Sequence, residues 1–309
     1  MIVDEISVLF EQVYQFIEEK ALIKWGWPDM QIAVAARREA FAAKRPMYAN
    51  ILPILTCMVL GGMSETAVPL AASWTLYDLA SDIFDDLQDQ DGKDWPWNHW
   101  APARAINVGL GVLAVAQNCQ AQLAARPDVQ GDIALSWSQT FALAARGQAH
   151  SHAVRSLEDY FRQTAAKSGL VYAAVARAGA RLATADERAL GQMQGFGMAL
   201  GMLIQLKDDC RDIQATHLVS DISAGIYSLP VLYGLAQTDS PYYSTLQALL
   251  VQLVPDVAAV NQILEEMGAV NHTLALAYAY QQKALAALAA FPQEKTAHLS
   301  TYVAGFLSS

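Results

Sequence analysis

Two short runs of aspartate carry the chemistry that this sequence can do. The first is Asp78-Leu-Ala-Ser-Asp82-Ile-Phe-Asp85-Asp86-Leu-Gln-Asp89-Gln-Asp91, and the second is Gln205-Leu-Lys207-Asp208-Asp209-Cys210-Arg211-Asp212. On a helix Asp78, Asp82, Asp85 and Asp89 fall at i, i+4, i+7 and i+11 and share one face. Asp208 and Asp212 stand one turn apart, with Gln205 and Gly201 continuing their face. Stacked carboxylates repel, so such a helix is either a solvated acidic face or a holder of cations. Ile83, Phe84 and the apolar residues before them favour a partly buried helix and therefore the cation. The pentapeptide Asp-Asp-x-x-Asp occurs twice, more than a hundred residues apart, each time at the C-terminal end of an apolar helix. Hard oxygen ligands on two walls suit Mg²⁺, which keeps coordination positions for water and for a substrate phosphate. A polyphosphate clamped through bridging ions is the expected ligand. His150 and His152 lie two apart, do not share a helix face, and do not make a zinc site.

The elements that must position these carboxylates read as helices throughout. Ile2, Ile6, Leu9, Phe10, Val13, Phe16 and Ile17 form one apolar stripe with Glu11, Glu18, Glu19 and Lys20 off it. Alanine-rich tracts at 110–125, 172–184 and 283–290 have high helix propensity, and period-two alternation is rare. Breaks fall near Trp27-Pro28, Gly61-Gly62, 91–102, Arg126-Pro127, 215–227 and 237–241. This pattern predicts about ten helices in one all-α domain spanning 1–309.

Composition narrows the function classes. The chain has 309 residues, 54% of them hydrophobic and 16% charged, which is ample for a packed core. A net charge of −10 repels phosphate backbones and argues against nucleic-acid binding. Cys57, Cys119 and Cys210 are too few and too scattered for a disulfide framework and suit a reducing compartment. Asp4, Glu5 and Glu11 do not fit a secretory leader, and the uncharged run 46–64 is broken by Asn50, Pro53 and Gly61-Gly62. No transmembrane segment is expected, and the expected location is the cytoplasm.

With these residues in view, the sequence resembles the trans-isoprenyl diphosphate synthase superfamily. Its two aspartate-rich motifs are matched by Asp85-Asp86-x-x-Asp89 and Asp208-Asp209-x-x-Asp212. Lys44-Arg45-Pro46, followed by an apolar helix to Gly61-Gly62, is similar to the family's Gly-Lys-Arg-x-Arg-Pro element. Gly147-Gln148, Lys167-Ser168, Gln205 and Asp221-Ile-Ser-Ala-Gly225-Ile-Tyr-Ser-Leu229-Pro230 match further elements in the right order. The resemblance implies a helical bundle around a deep central cavity, a homodimer, and a cluster of three Mg²⁺ ions that bind an allylic prenyl diphosphate and draw off its diphosphate. It implies Asp85, Asp89, Asp208 and Asp212 as metal ligands, with Asp86 and Asp209 as ligands or supporting partners. Lys44, Arg45, Lys93, Lys167 and Lys207 are implied as diphosphate contacts, and Gln205 as a residue that orients water or substrate.

The departures set the expected reaction. Elongating members follow the first motif with Arg-Arg, where this chain has Gly92-Lys93, and two later lysines are replaced by Ser220 and Ile226. Thinned donors beside intact carboxylates predict a terpene synthase, which ionises one allylic diphosphate of fifteen or twenty carbons and then cyclises it or eliminates a proton. The alternatives are chain elongation with isopentenyl diphosphate, prenyl transfer to another acceptor, and a non-catalytic partner subunit. Asp78 and Asp82 either steer a carbocation or pair with a nearby Arg or Lys. Trp95, Trp97 and Trp100 form either an aromatic lid or a loop buried against a neighbouring helix.

Overall fold

In a computed structural model the chain is all-helical, as the apolar spacing predicts. The structure describes residues 2–44, 47–89, 95–150, 154–212, 222, 225–252, 254 and 256–307, and their side chains except those of 2–4, 43, 44, 47, 89 and 212. Proline marks the helix starts where the sequence places breaks. With α1 at Ile2–Phe16, helix α2 begins at Pro28 (Pro28–Lys44). After α3 (Met47–Asn50), α4 (Leu52–Val59) and α5 (Ser64–Asp89), helix α6 begins at Pro102 (Pro102–Ala121) and α7 at Pro127 (Pro127–Ala149). A proline in the first turn lacks only an N–H that would have no partner in the helix, and its fixed φ suits the start. The uncharged run 46–64 resolves into α4, whose eight residues are almost all buried. Among the described residues no helix is long and apolar enough to cross a membrane.

The chain packs as two compact units. One comprises Met1–Ser136, Val175–Met193 and Phe291–Tyr302, and the other Trp137–Ala174, Gln194–Ala290 and Val303–Ser309. In the first, α5 is the central element. Leu70, Ala71, Leu76, Ala80 and Ile83 on it are fully buried, and α6 approaches it closely where Gly109 faces the Phe84 ring. That contact turns Ile83 and Phe84 inward and leaves Asp85 on another side of the helix.

The second unit contains α8 (Leu157–Thr164), most of α10 (Glu187–Asp212), and α11 (Leu229–Ala236). Further along come α12 (Tyr243–Leu250), α13 (Val257–Glu266) and α14 (Ala269–Leu288). Val231, Leu246, Val260 and Leu264 from α11, α12 and α13 form its apolar centre. Ser156 caps α8 by accepting a hydrogen bond from the Asp159 N–H (3.1 Å), and Asp256 caps α13 in the same way. One feature was not expected from the sequence: a π-turn at Ala165–Gly169 joins α8 to α9 (Leu170–Ala183).

Candidate functional site

The first aspartate cluster sits at the end of α5, and its carboxylates are in different circumstances. Asp86 is buried and accepts a hydrogen bond from the Trp97 indole N–H at 2.7 Å. Asp85 beside it is only half-buried. Deeper on the helix, Asp78 and Asp82 are bridged by one guanidinium: Arg37 of α2 lies 2.7 Å from Asp78 and 2.5 Å from Asp82. The deep carboxylates are thus an ion-paired structural feature. Burial lifts the Asp82 carboxyl to about 7, opposed by Arg37 and reinforced by the charges of Asp78, Asp86 and Asp85. Arg37 is itself held above its ordinary value, the two aspartates outweighing the burial that opposes its charge. Tyr14 of α1 lies fully buried behind this centre, and burial pushes its phenol well above the ordinary range.

The three tryptophans belong to this framework. Trp97 is fully buried and stacks on Trp95 with ring centroids 5.0 Å apart and planes within 10°. The Arg37 guanidinium lies over Trp95 at 5.5 Å and over Phe41 at 4.3 Å. Trp100 meets Arg104, which pairs with Asp29 near the start of α2. Of the two readings, a loop packed against a neighbouring helix describes these residues.

The second cluster, at the end of α10, repeats the arrangement. Asp209 is buried, accepting the Leu229 backbone N–H at 2.7 Å and the Gln205 side-chain N–H at 3.0 Å. Asp208 is half-buried, with Arg211 3.5 Å away. The Ser168 hydroxyl donates to Gln205 Oε1 at 3.0 Å, so Ser168, Gln205, Asp209 and the first turn of α11 form one hydrogen-bonded series. Tyr160 of α8 lies beside it, and burial together with the Asp209 charge raises its phenol well above the ordinary value. Glycine allows the close packing: a Cβ at Gly201 would sit 2.5 Å from the Ser168 carbonyl oxygen, and one at Gly197 would sit 2.3 Å from that of Tyr172. The π-turn carrying Lys167 and Ser168 is thereby seated on α10. Gly225, at φ +71, accepts from Arg155 at 2.9 Å through its carbonyl.

The structure places the candidate residues unevenly. Asp85, Asp86, Asp208, Asp209, Lys167 and Gln205 are described in place at their helix ends or, for Lys167, in the π-turn. Lys207 is largely buried; its ammonium donates to the Phe306 carbonyl and lies over the Phe306 ring at 4.7 Å. Burial lowers the Lys207 pKa, with help from Arg211. Arg45 and Lys93 lie outside the described residues, as do the side chains of Lys44, Asp89 and Asp212. Among the described residues no three His, Cys, Asp or Glu side chains gather into a metal-holding group. The sequence reading missed Arg37, Trp97 and Tyr160 as supports. Only Trp97 carried a signal, as an aromatic N–H close after the first motif.

The donors at each helix end are carboxylate oxygens, which fit a hard cation. Asp86 and Asp209 accept from N–H groups, and Asp85 and Asp208 are half-buried beside them. At the second motif the Cys210 thiol stays neutral because burial, with the Asp209 charge, pushes it up to about 11. Mg²⁺ suits such a set and a thiophilic metal does not.

Each of the two Asp-Asp-x-x-Asp helix ends thus pairs a buried, hydrogen-bonded carboxylate with a half-buried one. The polyprenyl synthetase pattern matches residues 46–267, and the chain belongs to the polyprenyl synthetase family, a family of prenyltransferases. It is 30% identical to the nonaprenyl diphosphate synthase of Mycobacterium tuberculosis over 201 residues, 62% of this chain and 57% of that protein. It is 31% identical to heptaprenyl diphosphate synthase component 2 of Geobacillus stearothermophilus over 146 residues, 45% of each chain. The chain therefore spans about half the length of these curated relatives. Its fold is similar to that of a polyprenyl synthase from Caulobacter crescentus crystallised with calcium and isoprenyl diphosphate. The TM-score is 0.81 at 22% identity, covering 99% of this chain and 95% of that one.

These relatives correct the expected reaction. They are named as synthases of lengthened prenyl diphosphates, and the terpene synthase reading drawn from Gly92-Lys93, Ser220 and Ile226 does not stand. That reading counted basic residues at a few motif positions. A diphosphate accepts donors from any element that reaches it, and a flexible lysine supplies its charge from more than one position.

Proposed function

We propose that this chain is a chain-elongating polyprenyl diphosphate synthase, joining isopentenyl diphosphate to an allylic prenyl diphosphate with release of diphosphate. The observation that supports the reading is the repeated Asp-Asp-x-x-Asp helix end, its second aspartate held by a buried N–H, in a chain of the polyprenyl synthetase family. Asp85, Asp89, Asp208 and Asp212 would hold Mg²⁺, with Asp86 and Asp209 setting their orientation. When bound, the ions neutralise the charge that develops on the departing diphosphate. Lys44, Arg45, Lys93 and Lys167 bind the substrate diphosphates. Lys207, hydrogen-bonded to Phe306, contributes a nearby positive charge. Gln205, fixed between Ser168 and Asp209, orients groups at the second motif. The reading includes one catalytic domain over 1–309 and a cytoplasmic location. It also includes a homodimer in which the exposed Ile106 and Leu110 of α6 are covered by a second copy.

The test is a product assay with Mg²⁺ and geranyl, farnesyl or geranylgeranyl diphosphate, each with and without isopentenyl diphosphate. Longer diphosphates formed only with isopentenyl diphosphate are expected. Hydrocarbon or alcohol formed without it would overturn the proposal. The word component in the Geobacillus relative's name favours a second reading, in which elongation needs a partner subunit. Activity that appears only on co-expression with a homologous chain would select it.

A further inference from the structure

Arg37 takes no part in the reaction proposed above, yet Asp78, Asp82, Phe41 and Trp95 all converge on it. We infer that Arg37 is the positioning residue of the first aspartate motif, clamping α5 and the Trp95–Trp97 segment onto α2 and so fixing Asp86 and the helix end that carries Asp85. The inference rests on the reading that Asp85 holds a cation.

The contacts run in series from α2 to the motif. Separate nitrogens of one guanidinium reach Asp78 at 2.7 Å and Asp82 at 2.5 Å, one turn apart on α5. Its position is set by Phe41 at 4.3 Å and Trp95 at 5.5 Å. Trp95 stacks on Trp97 at 5.0 Å, and the Trp97 N–H ends the series on Asp86 at 2.7 Å. The side chain is about nine-tenths buried, so the two carboxylates have a desolvated partner that must hold one geometry. Both ends of the segment between Asp86 and Trp97 are tied to this point. A lysine would keep the charge but lacks the two separate nitrogens that meet the carboxylates here and the flat face that lies over the rings.

The experiment compares Mn²⁺ binding, followed by electron paramagnetic resonance in the presence of inorganic diphosphate. It uses the full chain, Asp85→Asn, Arg37→Lys, and the triple variant Arg37→Gln/Asp78→Asn/Asp82→Asn, which leaves none of the three charges without its partner. Far-UV circular dichroism reports folding, and the near-UV tryptophan signal reports the Trp95–Trp97 stack. Arg37→Lys is expected to bind Mn²⁺ about tenfold more weakly than the unaltered chain, with a diminished tryptophan signal and intact helicity. The triple variant should show the same weakening, and it decides the matter if Arg37→Lys does not fold. Binding by either folded variant equal to that of the unaltered chain would overturn the inference alone. An unaltered chain whose Mn²⁺ binding is absent or indifferent to Asp85→Asn would overturn the cation reading, and the inference with it.

Discussion

Asp209→Ala and Asp208→Ala remove neighbouring carboxylates with very different consequences for stability. Asp209 is 4% exposed and accepts two hydrogen bonds, from the Leu229 N–H at 2.7 Å and from Gln205 at 3.0 Å. A hydrogen bond to a charged acceptor contributes about 1.5–3 kcal/mol, and a buried N–H left without a partner costs about 1–3 kcal/mol. The two losses overlap, because they describe the same groups, so Asp209→Ala should cost about 3–5 kcal/mol. That is a large fraction of the roughly 5–15 kcal/mol by which domains are stable. Asp208 is half-buried and Arg211, 3.5 Å away, is exposed, so Asp208→Ala should cost much less, about 0.5–1 kcal/mol. Urea unfolding followed by far-UV circular dichroism, with EDTA present to exclude cations, gives both values. Activity should be lost in both variants, but by different routes. Equal stabilities, or a larger loss from Asp208→Ala, would refute the division into anchored and half-buried aspartates.

Two further predictions concern α10 and α5. Gly201→Ala should destabilise by about 1–3 kcal/mol, because its Cβ meets the Ser168 carbonyl at 2.5 Å, whereas Gly195→Ala meets nothing within 4 Å and should stabilise by about 0.5–1 kcal/mol. Thermal melts of the two variants should move in opposite directions. Asp82, lifted to about 7 in the folded chain, ionises near 4 when unfolded, so its contribution is complete below about pH 4 and is lost as pH rises through 7. Asp82→Asn should therefore lessen the fall in stability between about pH 4 and pH 7, and identical slopes in the two proteins would show the shift to be absent.

The helices and the two motifs were legible because each depends on local spacing: Pro28, Pro102 and Pro127 mark starts, and apolar periodicity fills the spans between them. What local spacing could not supply was the partner of each carboxylate. Asp85 and Asp86 are adjacent and chemically identical, yet one is half-buried and the other is buried and fixed by an indole eleven residues on. Arg37 meets Asp78 from forty-one residues away, a pairing that follows from the packing of α2 on α5 and not from either sequence run. Lys207 reads as a diphosphate contact until the fold brings Phe306 to it. The reaction was misread for a related reason: absent lysines and arginines were counted along the chain, while a ligand counts donors in space.

The fate of the three thiols bears on how this protein can be handled and labelled. Burial holds Cys57 above its ordinary value, pushes Cys119 up to about 12 and, with Asp209, Cys210 up to about 11. At pH 8 a thiol of pKa 11 is ionised to roughly one part in a thousand, and alkylating reagents attack only the thiolate. All three are thus poor targets for maleimides and slow to oxidise. A cysteine introduced on the exposed face of α14, for instance at Tyr278, would react far faster than the native ones. A spin label or fluorophore could then be attached there without first removing any residue from the core or from the second aspartate motif.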